Sequence, residues 1–392
     1  SVIVIPGGLD ETASGAGHAR RIREALAGAS GRPDGGPVLN GGNCMGIRSR
    51  PGRYDTLFVP ETKLAGPGGR PAPLAIVAQS GAFAITRLSR LEGIDPRYVI
   101  TVGNQMDLTV GDHLEHLAGD PAIRIVGVYV EGFAPLDGQR FLRAARAIRL
   151  RGGTVVLYRA GRTTAGARAS ASHTAAIAGE AVVTASLARA AGVIVAETLQ
   201  DFDDLLGTIV RLDGRSVGAG RVGALTNAGF ECVAIADSLA GLPMARFETA
   251  TTGVLDALLR ERGLGGVVEV HNPFYLTPMG DDAALVRIAE AILADPNVDV
   301  GVIGNVPFTQ TMRTLPEEGL TDAGAVASGL IELWAHTSKA WVTVVDGGGR
   351  YDPLARHLER AGLPTFRTAD AAMRTLATIA RRGTVGQGLQ EY

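Results

Sequence analysis

The stretch AIVAQSGAFAITRLSRL (75–91) decides the fold class. It begins with an apolar run typical of a buried strand, continues through a polar, glycine-containing turn, and ends with apolar residues at helical spacing. The stretch VGALTNAGFECVAIADSL (222–239) repeats the same order of strand, polar residue, small residue, glycine and helix. Continuous apolar strands that alternate with helices are typical of parallel sheets covered on both faces. The sequence therefore predicts a duplicated α/β fold.

The duplication extends along most of the chain. VGVYVEGF (126–133), for example, matches VGVIGNVPF (300–308). We expect two flavodoxin-like, doubly wound parallel-sheet domains, at residues 72–213 and 218–392, whose ligands bind at the carboxyl ends of the strands. Residues 1–66 are predicted to form a separate α/β piece.

Composition and charge exclude several classes of protein. The 392 residues are 46% hydrophobic and 20% charged with a net charge of −2, which gives no electrostatic basis for binding nucleic acid or an anionic membrane. No apolar run approaches the roughly 18 residues that a membrane span requires. Cys44 and Cys232 lie far apart and form no redox or metal-binding spacing, as expected for a reducing cytoplasm.

The two copies differ most around His173. In the second copy Gly349 and Gly362 are 13 positions apart, whereas the matching Gly161 and Gly192 of the first copy are 31 apart. The additional segment is rich in glycine and alanine and contains His173. Because its own duplicate folds without such a segment, we expect the segment to serve function rather than folding.

Three interpretations of His173 compete: an ordinary histidine, a metal ligand and a nucleophile. No His, Cys, Asp or Glu lies at ligand spacing around it, so no metal site is predicted. A neutral imidazole can accept a phosphoryl group, and small neighbours would let a loop carry the ring between two sites. The nucleophile interpretation is favoured for these reasons.

Two glycine-containing loops of the first copy could bind the phosphoryl oxygens. Ser80, Gly81 and Ala82 open the helix after the first strand, where free backbone N–H groups and the positive helix end favour an anion. Gly103 and Asn104 offer a second loop at a strand end. A plain tight turn is the alternative interpretation of the first loop.

Glu131 ends the strand in VGVYVE. A buried carboxylate at this position would need a cation or a hydrogen-bond donor. The Glu131 carboxylate could hold the imidazole of His173 by accepting a hydrogen bond from the ring nitrogen that does not carry the phosphoryl group. An ordinary exposed glutamate is the alternative.

Together these motifs resemble the NDP-forming acyl-CoA synthetases, which include ADP-forming acetate–CoA ligase and the succinyl-CoA synthetase α subunit. SHTAAIAGE (172–180) resembles the phosphohistidine segment of that family, and AQSGAFA (78–84) its phosphate-binding helix start. VGNQMDL (102–108) resembles the neighbouring loop. YVEGF (129–133) resembles the strand end whose carboxylate contacts the histidine.

The resemblance also extends to the first 66 residues. IPGGLDET (5–12) resembles a loop that approaches coenzyme A, and NGGNCMG (40–46) resembles the segment G-P-N-C/S-x-G. It implies a Rossmann-like CoA-binding domain, here truncated, because the chain opens directly in the apolar run SVIVIPGG and we expect residue 1 to lie within a domain. The residues that it implies for coenzyme A are Gly7, Gly8, Glu11, Asn43 and Cys44.

The reaction implied by the resemblance converts acyl-CoA, phosphate and ADP reversibly into carboxylic acid, CoA and ATP through an acyl phosphate and phospho-His173. This reaction also requires an ATP-grasp domain or subunit that binds ADP or ATP with Mg²⁺. Nothing in this chain resembles such a domain. The resemblance further implies that the protein forms an oligomer. Gly41 and Ala175 depart from the family pattern, which has proline and glycine there. The alternative function is a non-catalytic CoA-binding or regulatory module with the same fold.

Overall fold

The computed structural model describes residues 1–33, 35–64, 66, 68–173 and 181–387. The chain forms two compact units, Ser1–Leu206 and Gly207–Tyr392. Among the described residues, no helix is both long and apolar enough to cross a lipid bilayer.

The first unit contains nine strands among its described residues: β1 (Val2–Val4), β2 (Leu39–Gly41), β3 (Ile47–Ser49), β4 (Tyr54–Asp55), β5 (Ala72–Ala78), β6 (Pro96–Thr101), β7 (Ile125–Val130), β8 (Thr154–Arg159) and β9 (Ile194–Val195). Its described helices are α1 (Ala16–Ser30), α2 (Gly81–Leu88), α3 (Val110–Gly119), α4 (Asp137–Leu150), α5 (Thr164–His173), α6 (Ala181–Ala190) and α7 (Leu199–Arg211), which runs past the unit boundary.

The main sheet of the first unit has the strand order β4-β3-β6-β5-β7-β8-β9. The strands from β6 to β9 are parallel, and their order is that of a flavodoxin-like sheet. Val77, Val126 and Leu157 of the three central strands are fully buried, as covering helices on both faces require.

The antiparallel strands β3 and β4 extend this sheet beyond β6. They fall within residues 1–66, which the sequence assigns to a separate piece, whereas β1 and β2 form a parallel pair of their own. Pairing with β3 covers the backbone of β6, which would otherwise be an exposed sheet edge. The predicted boundary near residue 66 stays a prediction, but 47–55 belong to the main sheet.

The second unit contains five strands among its described residues: β10 (Val222–Thr226), β11 (Phe274–Tyr275), β12 (Val300–Asn305), β13 (Ala340–Val345) and β14 (Thr365–Phe366). Its described helices are α8 (Gly229–Asp237), α9 (Thr249–Glu261), α10 (Asp282–Ala294), α11 (Val326–His336), α12 (Asp352–Arg360) and α13 (Ala369–Gln387), with short 3₁₀ turns at Pro316–Glu318 and Gly349–Tyr351. The sheet order β11-β10-β12-β13-β14 is again flavodoxin-like and parallel. The predicted α/β fold with parallel-sheet domains is confirmed.

The two copies differ in what lies between the first helix and the third strand. In the first unit Phe83, the third residue of α2, stacks on Tyr129 of β7 with ring centroids 4.2 Å apart. In the second unit the third residue of α8 is Glu231, which is fully buried, and the matching position of β12 is Gly304. A Cβ on Gly304 would lie 1.9 Å from Glu231 Oε2, so glycine makes room for the carboxyl.

The buried carboxyl of Glu231 makes stability depend on pH. Burial, together with Asp346, raises the pKa of Glu231 from 4.5 to about 7, so the folded state holds a proton that the unfolded chain releases above pH 4.5. Stability from this group is present below pH 4.5 and is lost as the pH rises to about 7. We expect Glu231→Gln to be as stable as the wild type at pH 5 and more stable at pH 8, by up to about 3 kcal/mol.

Urea unfolding at both pH values measures this difference. Glu332→Gln, at an exposed position of α11, serves as the control and should leave the pH dependence unchanged. A wild type and Glu231→Gln with parallel pH profiles would contradict the prediction.

Candidate functional site

The amino end of α2 forms one wall of the candidate site. Ser80 is the N-cap residue, and its hydroxyl accepts a hydrogen bond from Phe83 N at 3.3 Å. The first N–H groups of a helix have no acceptor within the helix, which leaves those of 80–82 for a ligand. A Cβ on Gly81 would lie 2.4 Å from Cβ of Met45, so glycine allows the loop that follows β2 to approach this helix end.

The loop after β6 forms a second wall. Gly103 has φ +56°, and a Cβ there would lie 2.0 Å from the carbonyl oxygen of Gly42. Its N–H donates to the carbonyl of Gln79 at 3.1 Å, and Asn104 N–H donates to the carbonyl of Gly42 at 2.9 Å. Both N–H groups of the loop that was predicted to bind phosphate therefore already have backbone acceptors, and the loop packs directly against the segment that follows β2.

Gln79, the last residue before Ser80, joins these loops to the end of β7. Its Oε1 accepts hydrogen bonds from Glu131 N at 2.7 Å and Gly132 N at 3.2 Å, and its own N–H donates to the carbonyl of Tyr129 at 3.0 Å. Gln79 is not among the residues predicted from the sequence. The available signal was a polar residue at the end of the first strand in both copies.

Glu131 is buried and is held by hydroxyl groups. Tyr129 Oη donates to its Oε1 at 3.0 Å, and Ser170 Oγ donates to its Oε2 at 3.2 Å. Burial and the nearby Glu131 carboxylate raise the pKa of Tyr129, so its hydroxyl stays protonated as a donor. The guanidinium of Arg159 is also buried; burial lowers its pKa, and Glu131 opposes that shift.

Ser170 belongs to α5, the helix whose last residue is His173. Its hydrogen bond to Glu131 attaches this helix to the wall of the site, one helical turn before His173. The side chain of His173 and residues 174–180 lie outside the described residues. The predicted position of the imidazole near 80–82 therefore stays a prediction.

The two loops predicted to approach coenzyme A lie side by side at the carboxyl ends of β1 and β2. Asn43 N–H donates to the carbonyl of Pro6 at 2.9 Å, and Cys44 Sγ donates to the carbonyl of Val4 at 3.4 Å. A Cβ on Gly7 would lie 3.2 Å from Asn43 Oδ1, whereas Gly8, with φ +80°, has open space around its Cα.

Glu11 and Asn104 bring the first of these loops to the loop after β6. Burial acts to raise the pKa of Glu11, but hydrogen bonding from the Asn104 side chain and nearby backbone amides lowers it, so the carboxylate is charged. Both carboxylate oxygens, and both polar atoms of the Asn104 side chain, are buried without a well-aligned hydrogen bond among the described residues.

These walls enclose a cavity of about 210 Å³ in the first unit, lined by Ile5, Asn43, Cys44, Met45, Phe58, Gln79, Ser80, Gly81, Ala82, Gly103 and Glu131. It unites most of the residues that the sequence predicts for phosphate with two predicted for coenzyme A. Gly7, Gly8, Glu11 and Asn104 do not line this cavity. The described residues contain no group of three or more His, Cys, Asp or Glu side chains that could hold a metal ion.

Comparison with known proteins defines the class of the first unit. Residues 71–209 match the model of the succinyl-CoA ligase like flavodoxin domain. The resemblance to NDP-forming acyl-CoA synthetases is thereby confirmed, since the curated relatives include ADP-forming acetate–CoA ligases.

Two of these homologues span nearly the whole chain. It is 28% identical over 352 residues to acetate–CoA ligase [ADP-forming] I of Archaeoglobus fulgidus, covering 88% of this chain and 46% of that protein. It is 27% identical over 395 residues to the α subunit of acetate–CoA ligase [ADP-forming] II of Pyrococcus furiosus, covering 99% of this chain and 80% of that subunit. The chain thus spans about half the length of the first relative and most of the second.

Solved structures show the same fold. Acetyl-coenzyme A synthetase 1 of Candidatus Korarchaeum cryptofilum in its apo form is 25% identical with a TM-score of 0.79, over 99% of this chain and 79% of that one. Its complex with phosphate and ADP has a TM-score of 0.82 at 24% identity, with the same coverage of both chains.

Proposed function

We propose that this chain is the CoA-binding, phosphohistidine-carrying part of an NDP-forming acyl-CoA synthetase. The reaction converts acyl-CoA, phosphate and ADP reversibly into carboxylic acid, CoA and ATP. An ATP-grasp domain or subunit binds ADP or ATP with Mg²⁺, and this chain carries the phosphoryl group between the two sites on His173.

One observation carries the proposal: a single cavity unites the helix start at 80–82, Gly103 and Glu131, and α5 is hydrogen-bonded to that cavity one turn before His173. Backbone N–H groups at a helix start stabilise the charge that spreads over a transferring phosphoryl group. A carboxylate beside the carrier histidine holds its tautomer and stabilises the charge that forms on the ring.

The transfer step is a displacement at phosphorus. The neutral imidazole of His173 attacks the phosphoryl group of an acyl phosphate, a P–N bond forms, and the P–O bond to the acyl group breaks so that the carboxylate leaves. Glu131 stabilises the positive charge of the ring by accepting a hydrogen bond from the ring nitrogen that is not bonded to phosphorus. No proton has to leave the protein during this step, and the reverse step uses the same groups.

In this proposal coenzyme A binds at the adjacent loops, 6–12 and 43–46. Asn43 and Cys44 line the cavity from the side of these loops, which supports a route for the thiol to the phosphoryl site. Glu11, whose pKa is lowered by hydrogen bonding from the Asn104 side chain, holds the loop at 6–12 against the loop after β6 and so supports the adjacent loops from behind.

Glu131→Gln should slow phosphorylation of His173 by about 100-fold, because an amide cannot stabilise the cationic ring. The phosphate site itself should remain, since the backbone amides at 80–82 are untouched. The measurement is the rate at which the chain takes up label from radiolabelled acetyl phosphate.

Glu115→Gln, at an exposed position of α3, is the matched control and should react at the wild-type rate. Equal rates for Glu131→Gln and the wild type would remove Glu131 from the mechanism. A wild-type chain that binds phosphate but never takes up label would instead favour the non-catalytic module.

A further inference from the structure

We infer that Gln79 is a phosphate-binding residue of the cavity, with its side-chain Nε2 as the donor. The inference rests on the proposed function, since it concerns the same site. It adds a side-chain N–H donor to a phosphate site whose other proposed donors are backbone amides.

The orientation of the Gln79 amide follows from its partners. Oε1 accepts from two backbone N–H groups, those of Glu131 and Gly132, and only an oxygen can accept in that position. Nε2 must therefore occupy the other end of the amide. Exchanging the oxygen and nitrogen of the amide would point the NH₂ group at the N–H groups of Glu131 and Gly132, so that donors would face donors.

The remaining donor belongs to a side chain that is only 3% exposed and lines the cavity next to Ser80. Among the described residues, Nε2 of Gln79 has no hydrogen-bond acceptor. Nε2 itself is not among the fully buried polar atoms, so it is open to the cavity, where an oxygen anion at the start of α2 would accept a charge-assisted hydrogen bond from it.

The second unit shows what happens when this side chain is one methylene shorter. Asn227 holds the matching position before α8, and its amide uses both ends on one residue: Val306 N donates to Oδ1 at 2.8 Å, and Nδ2 donates to the Val306 carbonyl at 2.9 Å. One of the two N–H groups of Nδ2 is thereby bound to the protein itself, and the amide is held against Val306. The extra length of glutamine is therefore what frees Nε2 in the first unit.

Gln79→Glu tests the inference because it keeps the acceptor and removes the donor. We expect the full-length chain to bind inorganic phosphate about 10- to 100-fold more weakly in isothermal titration calorimetry at pH 8. The difference in phosphate affinity between Gln79→Glu and the wild type should become smaller toward pH 5, since a protonated carboxyl regains an O–H donor. A purely structural role would not produce that recovery.

Gln105→Glu is the matched control. Gln105 also accepts a backbone hydrogen bond, from Val110 N at 3.1 Å, and donates to the same Gly132, at 3.2 Å, but does not line the cavity. It should bind phosphate within about threefold of the wild type. Gln79→Asn, a second variant without added charge, should lose affinity as Gln79→Glu does at pH 8.

Loss of affinity in both Gln79 variants, with Gln105→Glu unaffected, supports the inference. Equal affinities in the wild type and the Gln79 variants, equal losses in all three variants, or no phosphate binding by the wild type would overturn it. The proposed function is tested separately by labelling of His173. A chain that binds phosphate through Gln79 but never becomes labelled would contradict the function alone.

Discussion

His173→Asn should abolish uptake of label from radiolabelled acetyl phosphate, with a loss on the order of 10³-fold or more. Asparagine is uncharged and similar in reach, but its amide nitrogen has no lone pair available to attack phosphorus. The same variant should block label transfer from γ-labelled ATP once an ATP-grasp partner is added. The label on the wild type should be acid-labile and alkali-stable, as a P–N bond requires.

The comparison variant for this experiment is His116→Asn, at an exposed position near the end of α3. It should take up label at the wild-type rate. His173→Asn should keep the wild-type unfolding midpoint, because the second copy of the fold lacks the segment that carries this histidine. Undiminished labelling of His173→Asn would show that another residue is the carrier.

Much of the fold could be predicted because burial leaves a direct record in the sequence. Central strands such as β5 and β12 are enclosed by helices, so they are continuous apolar runs that any reader of the sequence can find. The duplicated order of these runs also predicted the flavodoxin-like strand order, which both sheets have.

The extension of the first sheet could not be predicted in the same way. β3 and β4 have three and two residues, which is too short for any periodic pattern. Their partner is β6, about 50 positions further along the chain, and pairing of that kind is set by tertiary structure rather than local propensity. The boundary predicted near residue 66 rests only on composition, that of the glycine- and proline-rich stretch AGPGGRPAP (65–73).

The residues of the candidate site also fall into those that local sequence features predict and those that they do not. Ser80 and Gly103 could be selected because a helix start and a glycine turn are local features. Gln79 and Ser170 could not, because their roles depend on Glu131, 52 and 39 positions away in the sequence. The sequence shows only that a polar residue ends the first strand in both copies, Gln79 and Asn227, and a serine among alanines has no distinguishing pattern.

Gly103→Ala should have the largest effect on the shape of the cavity. At φ +56° a side chain costs about 1–2 kcal/mol, and a Cβ there would also lie 2.0 Å from the Gly42 carbonyl oxygen and 2.5 Å from that of Asn43. Two backbone carbonyls cannot turn away as a flexible side chain would. We expect the free energy of unfolding to fall by about 2–5 kcal/mol in urea titrations.

Gly152→Ala separates the two causes. Gly152 has φ +84° in the same unit, but a Cβ there would have no atom within 4 Å. It should therefore lose only the backbone part, about 1–2 kcal/mol, and bind phosphate as the wild type does. Gly103→Ala should in addition weaken phosphate binding, because moving 42–43 displaces Asn43 from the cavity wall and pulls on the Gly103 amide that donates to Gln79. If the two alanine variants lose equal stability and bind phosphate equally, the contact between these loops does not shape the cavity, and the joint site for phosphate and coenzyme A would have to be abandoned.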